Sequence, residues 1–187
     1  MEEEISLCLQ MADESMNATL QRAVQDLAKI RAGKASASML DNIRVDYYGS
    51  STPVGQVASV NTADARTLVI KPWEKKMIAE IEKAIRNSDL GINPQNDGEI
   101  IRLVIPQLSG DRRQELVKKA KVEAENARVK VRNIRKETNE ALRKLQKDGA
   151  PEDAIKKAEE ESQTLTNKYI KKVDDLVAAK ETEITTV

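Results

Sequence analysis

Histidine and phenylalanine are absent from this 187-residue chain, and cysteine occurs once, at Cys8. Without histidine there is no imidazole acid or base, no histidine-containing triad and no Cys/His zinc site. A lone cysteine excludes an internal disulfide and fits a reducing compartment. Cys8 falls among Ile5, Leu9 and Ala12 on an apolar helical face, so it reads as a packing residue. Aromatics make up only 2% of the chain, so the core must be filled by Leu, Ile, Val, Ala and Met. No apolar run approaches the roughly 20 residues needed to cross a bilayer. The start, Met1-Glu2-Glu3-Glu4, is acidic, unlike a secretion signal or an Arg-rich transit peptide, and the expected location is the cytoplasm, with no membrane partner. No glycine-rich phosphate loop is present either. Arg31-Ala32-Gly33-Lys34-Ala35-Ser36 holds a Gly-Lys pair but none of the surrounding Walker pattern. With no polar cluster that reads as a catalytic centre, the expectation is a non-enzyme without metal or cofactor.

Glycine and proline are also missing, but only locally. Residues 1–30 contain neither, and Ile5, Leu9, Ala12, Met16, Leu20, Ala23, Val24, Leu27 and Ile30 mark one face in steps of three and four. That spacing predicts one long amphipathic helix. Residues 111–146 are likewise free of both and predict a helix about 54 Å long. Gly149-Ala150-Pro151 ends it, and a last helix follows through Ile155, Ala158, Leu165, Tyr169, Val173 and Val177.

Between the first two helices the composition changes. Four of the five prolines fall here, together with Tyr47, Tyr48 and Trp73. Ile43–Tyr47 alternates as a half-buried strand does, residues 48–53 read as a turn, and Val57–Val60, Thr67–Ile70 and Ile100–Ile105 are further strand candidates. Glu74–Arg86 returns to helical spacing. A lone amphipathic helix would leave its apolar stripe wet, so the three long helices are expected to bury theirs against one another. The predicted class is α+β, mainly α: a long antiparallel three-helix bundle from residues 1–30 and 106–187, with an inserted small β/α domain at 31–105. The two crossings, Arg31-Ala32-Gly33 and Ile105-Pro106, read as a two-strand hinge.

Net charge is zero, from 31 basic and 31 acidic residues, so only its distribution is informative. Residues 1–30 carry two basic and six acidic side chains, and residues 151–187 carry six and nine. Residues 111–146 carry twelve basic and six acidic, which makes this helix the basic element of an acidic bundle. Lys118, Lys121, Arg128, Arg132, Arg135, Lys136 and Arg143 fall on one arc beside its apolar face. Arg128, Arg132 and Arg135 stand at i, i+4 and i+7, a line about 10 Å long that reaches two or three successive phosphates. Arginine's planar fork suits phosphate, and acids are scarce on that arc. No aromatic platform accompanies it, so the expected ligand is folded RNA or duplex DNA, recognised by shape and phosphate. The competing readings are a solvated face, or an adaptor whose stripe pairs with an acidic partner helix.

Several stretches, taken in order, resemble the ribosome recycling factor family across essentially the whole chain. They are Ile30-Arg31-Ala32-Gly33-Lys34-Ala35-Ser36, Tyr47-Tyr48-Gly49 with Thr52-Pro53, Asp64-Ala65-Arg66-Thr67-Leu68, Ile81-Glu82-Lys83-Ala84-Ile85, Leu90-Gly91-Ile92-Asn93-Pro94, Arg112-Arg113-Gln114-Glu115-Leu116-Val117-Lys118 and Ala127–Lys136. The resemblance implies an L-shaped, transfer-RNA-like molecule, a monomer that enters the ribosome after termination. With elongation factor G and GTP it would separate the subunits, its bundle on large-subunit ribosomal RNA and its inserted domain toward the elongation factor. The family's RNA-contacting arginines match Arg128, Arg132 and Arg135, with Lys121 and Lys136 beside them. Lys34, Ala37 and Lys130 depart from the family's usual Arg, Pro and small residue.

Overall fold

The computed structural model describes residues 1–186. Packing divides the chain into two units, Met1–Ala32 with Gly110–Val187, and Gly33–Ser109. The chain thus changes unit between Ala32 and Gly33 and again between Ser109 and Gly110.

Among the described residues of the first unit, three long helices pack on one another: α1 (Glu2–Ala28), α4 (Gly110–Lys147) and α5 (Glu152–Thr185). Ile5, near the start of α1, clusters with Leu142, near the end of α4, and with Ile155 and Ala158, early in α5. The helices therefore run up, down and up. Ala12, Met16, Ala120, Ala124, Val131, Leu142 and Val173 are all within 2% of full burial, a core of small and aliphatic side chains without Phe. Alanine at three of those positions lets the helix backbones approach closely. Helical spacing puts Leu116, Ala120, Ala124, Ala127, Val131, Ile134, Ala141, Leu142 and Leu145 on one apolar face of α4, and the observed face departs from this in two places. Ala141 is exposed, and Thr138 takes the buried position. Thr138 can be buried because its hydroxyl donates to the Ile134 carbonyl at 2.8 Å, so no polar hydrogen is left unpaired. Gly149, at φ +112°, closes α4, with Ala150 N–H reaching back to the Leu145 carbonyl at 2.9 Å, and Pro151 precedes α5.

The inserted unit contains a hairpin, β1 (Arg44–Tyr47) and β2 (Ser50–Pro53), then a single helical turn α2 (Val54–Val57). β3 (Ala58–Asp64), β4 (Thr67–Pro72), β6 (Ile101–Val104) and β5 (Gln95–Asn96) form a sheet in that spatial order, antiparallel throughout. Helix α3 (Met77–Arg86) buries Met77, Ile78, Ile81 and Ile85, which share one face. Alternation aims Leu68 and Ile70 of β4 and Ile101 and Leu103 of β6 at the same core, and the register pairs Leu68 with Leu103 and Ile70 with Ile101. Glu82, also buried, accepts from the Asn96 side chain and so ties α3 to the edge strand β5.

The predicted turn at residues 48–53 is a correction. Only Tyr48 and Gly49 turn, at φ +53° and +84°, and Ser50–Pro53 pairs with β1. Two consecutive positive φ values make a two-residue hairpin turn whose twist matches the strands. Both Tyr47 and Tyr48 hydroxyls donate to the Glu74 carboxylate, and the Lys76 ammonium lies 3.9 Å from the Tyr48 ring centre. Among the described residues, no helix is long and apolar enough to cross a membrane.

Candidate nucleic-acid interface

Helix α4 buries Leu116, Ala120, Ala124, Ala127 and Val131 in steps of three and four. The basic arc next to that face lies beside α5, and this neighbour divides it into two rows. Lys121, Arg128 and Arg135 stand seven residues apart, the repeat that keeps side chains on one seam of paired helices. Each reaches across to α5. Lys121 Nζ lies 3.8 Å from Glu181, Arg128 Nε donates to Asp174 at 2.7 Å, and Arg135 Nη1 donates to Gln163 at 3.0 Å. Arg143 Nε closes the series on Glu159 at 3.2 Å. Partner numbers fall as α4 numbers rise, as an antiparallel pair requires.

Arg132 and Lys136 sit further out, with Lys118. Arg132 is 48% exposed and, among the described residues, forms its ion pair with Glu125 of its own helix, at 3.5 Å. Lys118 and Lys136 have no ion pair among the described residues and are exposed. Arg128 is 21% exposed, well below Arg132. Burial alone would lower its pKa, but the hydrogen bonds to Asp174 and Glu125 outweigh it and raise the pKa. The cation is held in place and remains charged.

Acids are scarce on that arc of α4, apart from Glu125, and the carboxylates that meet the inner row come from α5. Asp174, Glu159 and Glu181 answer the inner row. Periodicity within one helix could not reveal them, since Asp174 lies 46 residues from Arg128. What could have shown it is the seven-residue spacing of Lys121, Arg128 and Arg135 itself, which marks a helix seam. Glu125 was equally legible as the lone acid inside the arc.

The arrangement is a cationic ridge with a braced inner edge and an open outer edge. A shallow groove of about 290 Å³ lies on the other side of α4, against α1, lined by Arg22, Asp26, Glu123, Asn126 and Lys130, and does not include the ridge. The other predicted positions lie elsewhere. Arg31 and Ala32 belong to the bundle unit, and Gly33, Ile105 and Pro106 to the inserted unit. Ile105 is buried, and its N–H donates to the Arg66 carbonyl at 2.7 Å, so this residue is built into the sheet unit.

Comparison with known proteins places these features in context. A family model described as Ribosome recycling factor matches residues 23–185. A ribosome-recycling factor of Amoebophilus asiaticus is 53% identical over 182 residues, covering 97% of this chain and 98% of its own. One from Cytophaga hutchinsonii is 52% identical over 185 residues, covering 99% and 100%. Among solved structures, a solution structure of the ribosome recycling factor superposes with a TM-score of 0.79 at 36% identity, covering 98% of each chain. A second aligns with a TM-score of 0.64 at 39% identity, covering 97% of this chain and 99% of its own. It depicts the T. thermophilus ribosome recycling factor and the E. coli elongation factor G bound to the E. coli post-termination complex.

Proposed function

The chain belongs to the ribosome recycling factor family, and on that premise we propose that it is a translation factor that recycles ribosomes after termination. It binds the large ribosomal subunit and, together with elongation factor G and GTP, splits the post-termination complex. The observation that carries this reading is the match over nearly the full length, in both units, to a recycling factor shown with elongation factor G on that complex. The chain is not itself an enzyme in this reading. GTP is hydrolysed by the elongation factor, which agrees with the missing phosphate loop at Gly33-Lys34. It works where ribosomes do, in the cytoplasm.

We assign the RNA contact to the α4 ridge. Arg132 and Lys136 on the open edge meet phosphates, while Arg128, Arg135 and Lys121 support it from the seam, Arg128 offering its remaining donors. Arginine in a fixed position recognises phosphate with little ordering left to do. Any pivot between bundle and inserted unit lies where the chain changes unit, at residues 32–33 and 109–110, rather than at Ile105-Pro106.

The test is a subunit-splitting assay on post-termination ribosomes. The chain with elongation factor G and GTP is expected to release free subunits, and omission of either is expected to abolish splitting. Splitting at the same rate without the elongation factor, or none with it, overturns the proposal.

A further inference from the structure

One carboxylate faces both arginines at the centre of the ridge. Glu125 Oε2 lies 3.1 Å from Arg128 Nη1, and Glu125 Oε1 lies 3.5 Å from Arg132 Nη1. These are terminal guanidinium nitrogens, the atoms that reach a phosphate. A carboxylate presenting one oxygen to each of two arginines has the form of a bridging phosphate. We propose that Glu125 is an internal phosphate mimic: it occupies the anion site between Arg128 and Arg132, and RNA must displace it to bind.

The two acids at Arg128 then have different roles. Asp174 holds Nε at 2.7 Å from the neighbouring helix and leaves the outer end of the fork available. It is a positioning residue, and it stays in place when RNA arrives. Glu125 takes the outer end and competes. Its side chain is 56% exposed, so it can swing into solvent without leaving a buried charge. The competition has a use in a factor that must leave the ribosome after each round. A ridge of unopposed arginines would bind large-subunit RNA tightly and depart slowly, since affinity differences reside mostly in the dissociation rate. An acid poised at the same site lowers affinity and can re-enter as phosphate withdraws.

This inference rests on the assignment of RNA to the α4 ridge, and the experiment separates the two. Binding of Glu125→Gln, Glu125→Ala and Arg132→Ala to purified large subunits is measured across a salt series, with dissociation rates. Both Glu125 variants are expected to bind about two- to fivefold tighter at low salt, the range an exposed ion pair supplies. They should also dissociate more slowly. Their advantage should shrink as salt rises, because salt screens the internal pair as well. A residue that merely stabilises the helix would shift melting and leave affinity unchanged. If Arg132→Ala weakens binding while both Glu125 variants bind no tighter than the parent, the mimic is refuted and the RNA assignment stands. If Arg132→Ala binds as the parent does, the RNA assignment fails and takes the mimic with it.

Discussion

Arg128 and Arg132 lie one helical turn apart, and loss of either should weaken RNA binding, yet only Arg128→Ala should also cost the bundle stability. Arg132 is 48% exposed and pairs at 3.5 Å with Glu125, which is itself 56% exposed. Such a pair contributes at most about 1 kcal/mol, so Arg132→Ala should leave bundle stability within that margin. Its effect should appear on RNA. A charge-assisted hydrogen bond to phosphate is worth roughly 1.5–3 kcal/mol, which corresponds to about a ten- to hundredfold loss of affinity. One phosphate contact fewer also lowers the slope of log affinity against log salt by about 0.9. Arg128 is 21% exposed and makes a 2.7 Å bond across helices to Asp174. Its removal deletes that bond, the pair with Glu125 and the packing of the side chain's stem, about 1–2 kcal/mol of bundle stability together. At this size that lowers the bundle's melting temperature by roughly 2–8 °C. Cosedimentation with large subunits over a salt series, beside thermal melting followed by helical circular dichroism, reads both quantities. The division into inner and outer rows is refuted if Arg128→Ala melts with the parent. The phosphate contact is refuted if Arg132→Ala keeps the parent's salt slope.

Tyr169 ties α5 to α1 through a hydrogen bond from its hydroxyl to Asp13, and burial followed by the Asp13 carboxylate pushes its pKa up to about 12. The protonated phenol is the form the fold favours, so its contribution is complete below the unfolded value near 10 and is lost as pH rises through about 12. Tyr169→Phe should cost about 1.5 kcal/mol at neutral pH. The stability gap between parent and variant should close between those two values, and a gap independent of pH contradicts the pairing. Gly33 sits at φ +74°, and a Cβ there would fall 2.9 Å from Leu108 Cγ. Gly33→Ala should therefore destabilise the inserted unit by about 1–2 kcal/mol. The chain's single tryptophan, Trp73, lies in that unit, so fluorescence should show an earlier denaturant midpoint while the helical signal holds. An unchanged midpoint argues against the close contact.

The long helices were legible because nothing in them competes with helical periodicity. The predicted helix at 1–30 is found at Glu2–Ala28, and the one at 111–146 at Gly110–Lys147. Strand β2 was illegible because Ser50-Ser51-Thr52-Pro53 carries no apolar alternation, and its state is decided by the ladder to β1. Pro106 marks the end of strand β6, which by composition looked like the end of the unit; packing carries the unit on to Ser109. The basic arc itself could be read from α4 alone. Its division into two rows could not, because the acids that brace the inner row belong to another helix, and their register follows from core packing.

The way the inserted unit begins and ends has an architectural consequence. Ala35 N–H donates to the Ala65 carbonyl at 2.8 Å, and Ile105 N–H donates to the Arg66 carbonyl at 2.7 Å. Incoming and outgoing chain are thus pinned to neighbouring residues of one turn, between β3 and β4. The Asp64 side chain shapes that turn by accepting the Arg66 N–H at 2.9 Å, the contact that does most to hold its carboxyl below the usual range. Once this unit has folded, its two ends are neighbours, and to α1 and α4 it is equivalent to a short loop. A flexible loop about ten times longer would add roughly 2 kcal/mol to the closure entropy of the bundle. The insertion avoids that penalty by carrying its own clasp. It is a cassette: loops and faces of the inserted unit can change in length and chemistry without altering how α1 finds α4, provided the clasp at Ala65-Arg66 is kept.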